Sequence, residues 1–146
     1  MSEPVNINPG DVVTTEQVLH VYNGLRDRSL PAAEWTHGAH LCAGLAMVHD
    51  MGLAEAEAIM PDTIRNYNEA CGGENTDTEG YHHTITLFYL RDISHFLSAE
   101  PECDLGELAT RLLASKRAAR DYPLHFYSRE RLFSVDARRG WVDADL

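Results

Sequence analysis

Histidine stands out among the residues of this chain that could do chemistry, because 8 of its 146 residues are histidines. Three of them, His37, His40 and His82, fall in the expected first turns of two helices. The positive end of a helix dipole favours a neutral imidazole, and the neutral form is the one that binds metals. If both helices begin at the same end of the molecule, these rings could hold one divalent transition metal, either zinc, nickel or iron.

Aromatic and amide side chains near these histidines would line a pocket for a small polar ligand. They are Trp35, Tyr67, Asn68 and Tyr81. A simpler interpretation uses the same residues: buried histidines often hydrogen-bond a backbone carbonyl or a tyrosine and bind nothing. The sequence therefore leaves two functions open. One is a metal-binding or ligand-binding protein, which could be an enzyme; the other is a non-enzymatic interaction or scaffold domain.

A second candidate site lies at the opposite end of the helix that carries His40. His49 and Asp50 precede a glycine and resemble the His-Asp signature of the HD-type metal phosphohydrolases, which are all-α proteins. This resemblance implies a further, earlier histidine and a later aspartate. His20 would be the histidine, and Asp92 or Asp104 would be the carboxylate.

Other catalytic chemistries have little support in the sequence. Cys42, Cys71 and Cys103 are odd in number and widely separated, and the chain has no C-x-x-C, phosphate-binding glycine loop or G-x-S-x-G turn. The first residues lack the basic and apolar regions of a signal peptide, and the longest uncharged stretch, 35–48, is shorter than a membrane span. We therefore expect a reduced, cytoplasmic protein without a membrane segment.

The elements that position these residues should be helices, because apolar residues recur at three- and four-residue spacing and no segment alternates like a strand. Thr76 and Glu79 have the spacing of a capping box, which predicts that the fourth long helix starts there. Pro61 either kinks the third helix or begins a second piece of it. The predicted long helices cover residues 15–28, 33–50, 53–70, 77–98 and 105–119, with a short helix near 124–133.

These helices predict a single all-α domain over residues 1–146. Four main helices form an antiparallel bundle, and a C-terminal helix and a tail at 120–146 pack outside it, while residues 1–13 form an irregular lead-in. In an up-down-up-down bundle the second and fourth helices run parallel, so they begin at the same end of the molecule. This arrangement would bring His40 towards His82.

Charge is unevenly distributed along the chain, whose net charge is −11. Residues 1–110 hold 4 basic and 18 acidic side chains, a net of −14, whereas residues 111–146 hold 8 and 5, a net of +3. A basic tail interleaved with aromatic residues also occurs in proteins that bind single-stranded nucleic acid. The acidic body repels phosphate, so we expect the tail to pack on the body and nucleic acid to be an improbable partner.

Four segments of the chain carry a shared pattern: W-x-H-x-x-H-L at 35–41, I-x-x-Y-N at 64–68, G-Y-H-H-T-I-T at 80–86 and Y-S-R-E-R-L-F-S at 127–134. They resemble a family of small bacterial proteins with no established activity. The resemblance spans most of residues 34–146 and implies a helical fold without a defined substrate. His37, His40 and His82 match the family pattern, whereas His49 and Asp50 do not, and His83 replaces a glutamate of that pattern.

Overall fold

The computed structural model describes residues 4–146, and every regular element in that part of the chain is helical, which confirms the all-α prediction. Short 3-10 turns lie at 32–34, 116–118 and 122–125. Within the described residues, no helix is long and apolar enough to cross a membrane. The α-helices are α1 Thr15–Asp27, α2 His37–Met51, α3 Leu53–Ala70, α4 His83–Ala99, α5 Leu105–Ala114, α6 Arg129–Leu132 and α7 Val135–Arg139.

Helix α2 is the centre of the fold, because it contacts α1, α3, α4 and α5. Ten of its 15 residues are buried. A helix that is apolar on all sides must be covered on all sides. The segment before α1 covers its first turn, where a Cβ on Gly38 would lie 2.4 Å from the carbonyl oxygen of Ile7. The candidate histidines of α2 therefore lie at the start of the most enclosed helix.

Most predicted helix limits agree with the structure, and the exceptions have local causes. Helices α1 and α3 end within one residue of the prediction, and α3 continues through Pro61. Helix α2 begins at His37 instead of residue 33, because Thr36 caps it by accepting a hydrogen bond from the Ala39 N–H. Helix α5 ends at residue 114 instead of 119, since Ser115 has extended backbone.

The predicted start of the fourth long helix near Thr76 is wrong. Helix α4 begins at His83, and its N-cap is His82. The Thr76 hydroxyl instead accepts a hydrogen bond from the Glu79 N–H, and the Thr76 N–H donates to the Glu79 carbonyl, which closes a turn. Gly80 follows with a φ of +81°, at a point where a Cβ would collide with the backbone of the same segment. This segment is therefore a loop between α3 and α4.

The basic, aromatic tail packs against the start of α4. Arg139 donates two hydrogen bonds of 2.7 Å to the Asp77 carboxylate. The Arg91 guanidinium lies 4.2 Å from the centre of the Trp141 ring. The Thr84 hydroxyl donates to a tail carbonyl at 2.8 Å. The tail thus uses opposite charges and cation–π contacts to cover one side of the bundle.

Candidate ligand-binding cleft

A cleft opens between α2, α3 and α4 and has two connected chambers. The outer chamber has a volume of about 700 Å³ and the inner chamber about 320 Å³. Trp35, His40, Ile64, Ile85 and Thr86 line both of them, so the two chambers form one cleft. The residues predicted as metal ligands or pocket lining all contribute to its walls: His37, His40, His82, Trp35, Tyr67, Asn68 and Tyr81.

The outer chamber is polar and acidic. Glu74 and Glu79 line it, and its described lining contains no lysine or arginine. The loop between α3 and α4 forms one wall, and Asn75 holds the shape of this loop. The Asn75 side-chain oxygen accepts hydrogen bonds from the Asn68 amide and from the Tyr81 N–H, both at 3.0 Å. The two carboxylates disfavour an anionic ligand group in this chamber.

The inner chamber is mainly apolar. Helices α2 and α4 lie on opposite sides of it, and Gly44 of α2 has no side chain to fill the space between them. His37, Tyr89 and Arg120 contribute polar side chains that line this chamber and not the outer one. Its apolar walls suit the hydrocarbon part of a ligand. They are formed by Leu41, Met60, Ile64, Ile85, Leu90 and Ile93.

His40 lies where the two chambers meet. Its Nδ1 is 2.7 Å from the carbonyl oxygen of Thr36. Because a carbonyl can only accept, Nδ1 carries the proton and Nε2 keeps a lone pair. The residue as a whole is exposed to the cleft, but the protein atoms crowded around the ring desolvate it and lower the pKa of His40 to about 4. His40 is therefore neutral at pH 7 and offers one hydrogen-bond acceptor to a ligand.

The Trp35 indole stacks on the His40 ring. The ring centres are 3.7 Å apart and the planes are inclined by 26°. Tyr67 also contacts the indole, with its ring edge-on at 5.6 Å. The Tyr67 hydroxyl donates to the Leu30 carbonyl at 2.9 Å, so Tyr67 supplies ring surface to the cleft and its polar group is used elsewhere. Together these rings form an aromatic wall against which a planar or apolar group can pack.

His82 uses both of its ring nitrogens in structural hydrogen bonds. Nδ1 accepts from the Ile85 N–H at 3.1 Å and so caps α4. Nε2 donates to the Leu132 carbonyl at 2.7 Å. Burial is the main cause that lowers the pKa of His82, so the ring is neutral, with its proton on Nε2. His82 therefore joins α4 to α6 and has no lone pair left for a metal ion.

His37 also connects the bundle to the tail. Its Nε2 donates to the Ala118 carbonyl at 3.0 Å, and the Tyr89 ring lies edge-on at 6.0 Å. Burial is the largest cause that lowers the pKa of His37, and the nearby Arg120 guanidinium lowers it further. The Nε2 proton of His37 is therefore already used in a hydrogen bond to a backbone carbonyl.

The geometry of these rings gives no support to a metal centre built from His37, His40 and His82. Residues 4–146 contain no group of three histidine, cysteine, aspartate or glutamate side chains placed to hold an ion. The three rings line one cleft, but His82 has no free nitrogen, so the other two could provide at most two ligands. A zinc, nickel or iron site made from all three histidines stays a prediction.

The residues of the predicted phosphohydrolase site are not brought together. His20 Nε2 is 2.7 Å from the Glu34 carboxylate. The Asp50 carboxylate accepts a hydrogen bond of 3.0 Å from the Tyr22 hydroxyl. His49 lines a different, small cavity. The described part of the chain therefore contains no metal-ligand group at this end of α2.

The two later carboxylates proposed for that site have structural partners. Asp92 forms an ion pair of 2.9 Å with Arg117. Asp104 caps α5 by accepting a hydrogen bond of 2.8 Å from the Glu107 N–H. Both carboxylates stabilise the packing of α5 and of the segment that follows it.

Tyr89 and Arg120 are cleft residues that sequence reasoning did not identify. Tyr89 lies on the apolar stripe of α4, where an aromatic residue usually indicates a core position. Arg120 lies just after a 3-10 turn, outside any helix. No spacing rule places a residue from irregular structure against a distant helix, so Arg120 carried no signal that sequence analysis could use.

Comparisons with known proteins add no relative to this picture. No protein-family model, curated protein or solved structure matches the chain. The resemblance to the bacterial family stays a prediction.

Proposed function

We propose that the protein binds a small polar organic ligand in the cleft, where the ligand contacts Trp35 and His40. The observation that carries this proposal is the state of the His40 ring. One nitrogen is fixed by the Thr36 carbonyl, the ring is stacked on Trp35, and the other nitrogen is free to accept a hydrogen bond from the cleft. A preorganised acceptor costs little conformational entropy when a ligand binds.

The dimensions and chemistry of the cleft support the same function. Small-molecule sites typically have volumes of about 300–1,000 Å³, mostly apolar walls and a few convergent polar groups. The two chambers fall within this range and differ in character, with carboxylates and an amide in the outer chamber and hydrocarbon walls in the inner one. A ligand that combines a polar and an apolar part would match both.

A ligand explains the cleft better than the two other functions considered. A metal bound by His82 would have to displace the N-cap of α4 or the bond to the Leu132 carbonyl, and each displacement costs about 1 kcal/mol or more. A pure scaffold role gives no reason for an unused acceptor beside a stacked indole. These arguments favour ligand binding, with or without catalysis.

A fragment screen on the full chain tests the proposal. Ligand-observed NMR with a library of small polar compounds identifies binders, and tryptophan fluorescence of the Trp141→Phe variant then reports on Trp35 alone. His40→Phe keeps the stacking on Trp35 but removes the nitrogen acceptor. We expect it to weaken the binders about tenfold, the value of one well-placed hydrogen bond.

The matched control is His95→Ala, which changes an exposed histidine of α4 that does not line the cleft. It should leave every affinity unchanged. If the binders have the same dissociation constant, read from Trp35 fluorescence, in the parent, His40→Phe and His95→Ala, the proposed role of His40 is wrong. If no compound of the library changes the Trp35 fluorescence, the proposed function is wrong and the scaffold interpretation is favoured.

A further inference from the structure

The inner chamber has one cationic side chain in its lining, that of Arg120. We propose that the ligand is a small amphipathic carboxylic acid, with its hydrocarbon part in the inner chamber and its carboxylate paired with Arg120. This inference rests on the ligand-binding function proposed above and specifies the chemical class of the ligand.

Arg120 is available for an anion. Within residues 4–146 no carboxylate lies within ion-pairing distance of its guanidinium, whereas the neighbouring Arg117 is paired with Asp92 at 2.9 Å. The Arg117 pair also offsets the negative charge of Asp92 near the chamber. A guanidinium offers several N–H donors in a plane, and this geometry matches a carboxylate with two parallel hydrogen bonds.

Tyr89 provides a second donor in the same chamber. Its side chain lines the inner chamber together with Arg120. Burial is the main cause that raises the pKa of Tyr89, and Asp92 raises it further, so the hydroxyl keeps its proton at neutral pH. A hydroxyl donor and a guanidinium together can satisfy both oxygens of a carboxylate.

The charges of the two chambers determine the orientation of such a ligand. Glu74 and Glu79 make the outer chamber unfavourable for an anion, whereas Arg120 makes the inner chamber favourable. A carboxylic acid should therefore place its charged group near Arg120. Any hydrogen-bond donor on the same molecule would then be free to reach the His40 Nε2 at the junction of the chambers.

The volume of the inner chamber limits the size of the hydrocarbon part. A water molecule takes about 30 Å³ of the liquid, so 320 Å³ has room for about ten non-hydrogen atoms. Phenylacetate and octanoate are of this size. In the series butanoate, hexanoate and octanoate, each added methylene should tighten binding by up to about fourfold while it still enters the chamber.

The experiment measures the dissociation constants of phenylacetate and octanoate, and of their neutral amides, by isothermal titration calorimetry on the full chain. Phenylacetamide and octanamide keep the size and shape of the acids but lack the charge. We expect each acid to bind about tenfold more tightly than its amide. Arg120→Gln should remove this difference, and Arg120→Lys should keep part of it because the charge remains.

The matched control is Arg129→Gln, which removes an exposed arginine that lines neither chamber. Arg129→Gln should leave the preference for acids unchanged. Equal binding of acids and amides, or a preference that survives Arg120→Gln, would overturn the inference. Thermal melting of each variant shows whether it is folded, and Arg120 is exposed, so its replacement should not affect the melting temperature.

The outcome also separates this inference from the proposed function. If compounds of other classes perturb Trp35 but neither acid binds, the carboxylate inference is wrong and ligand binding in the cleft stands. If no compound of any class binds, both are wrong. Acid binding that is lost in Arg120→Gln and retained in Arg129→Gln supports both.

Discussion

Replacing His82 with alanine tests whether this residue is structural. In the folded chain its ring accepts from the Ile85 N–H and donates to the Leu132 carbonyl, and only 8% of the residue is exposed. Alanine removes both bonds at once. The first amide groups of α4 lose their cap, and a buried carbonyl of α6 loses its donor.

The expected loss of stability is the sum of these two effects. Removing an N-cap side chain costs about 1 kcal/mol. Leaving a buried carbonyl without a partner costs about 1–3 kcal/mol. His82→Ala should therefore lower the free energy of unfolding by about 2–4 kcal/mol. His82→Asn should recover about 1 kcal/mol of this, because asparagine can cap a helix but is too short to replace the bond to Leu132.

Urea denaturation followed by far-ultraviolet circular dichroism measures these differences. His95→Ala, an exposed change on the same helix, provides the baseline and should remain within about 0.5 kcal/mol of the parent. If His82→Ala is as stable as His95→Ala, the two hydrogen bonds do not contribute as argued. If His82→Asn is no more stable than His82→Ala, the capping role of His82 is wrong.

Three further predictions concern acid, chelators and the cleft loop. Burial lowers the pKa of His37, His40, His82 and His83, so the unfolded chain binds more protons, and stability should fall as pH decreases through about 6.5. The contribution of His82 to the free energy of unfolding should change by at most about 1.4 kcal/mol per pH unit. An unchanged midpoint of urea unfolding between pH 7.5 and 5.5 would contradict this prediction. EDTA should leave the melting temperature unchanged; a decrease that disappears in His82→Ala would instead support the metal prediction. Gly80→Ala should cost about 2 kcal/mol or more in urea unfolding, because alanine disfavours a φ of +81° and its Cβ would meet the loop backbone; a neutral effect would mean that the loop adapts.

The parts of the fold that sequence reasoning predicted correctly are specified by nearby residues. Helix α3 begins after Gly52 and ends before Gly72, so both limits follow from local backbone preferences. The start of α1 follows from the cap at Thr14 in the same way. The start of α4 was mispredicted because the Thr76 hydroxyl and the Glu79 backbone can close a turn as well as begin a helix.

Sequence reasoning predicted several residues that line the candidate site, but not the orientation of their side chains. Small and aromatic residues at the starts of two helices indicated which side chains would meet in a cleft. The orientations of the His37 and His82 rings were not predictable, because they depend on backbone carbonyls at residues 118 and 132, far along the chain. Arg120 and Tyr89 were missed for the same reason: only the packing of distant segments brings them into one chamber.

The hydrogen bonds between the cleft and the tail also have a consequence for the order of folding. His37 is 81 residues from its partner Ala118, and His82 is 50 residues from Leu132. In a chain synthesised from its amino terminus, both carbonyls emerge from the ribosome after α1 to α4. The four helices can collapse earlier, but these two rings reach their final orientation only when the tail closes over them. The cleft is therefore completed late, and a ligand bound there as proposed would find its full site only after the tail has docked.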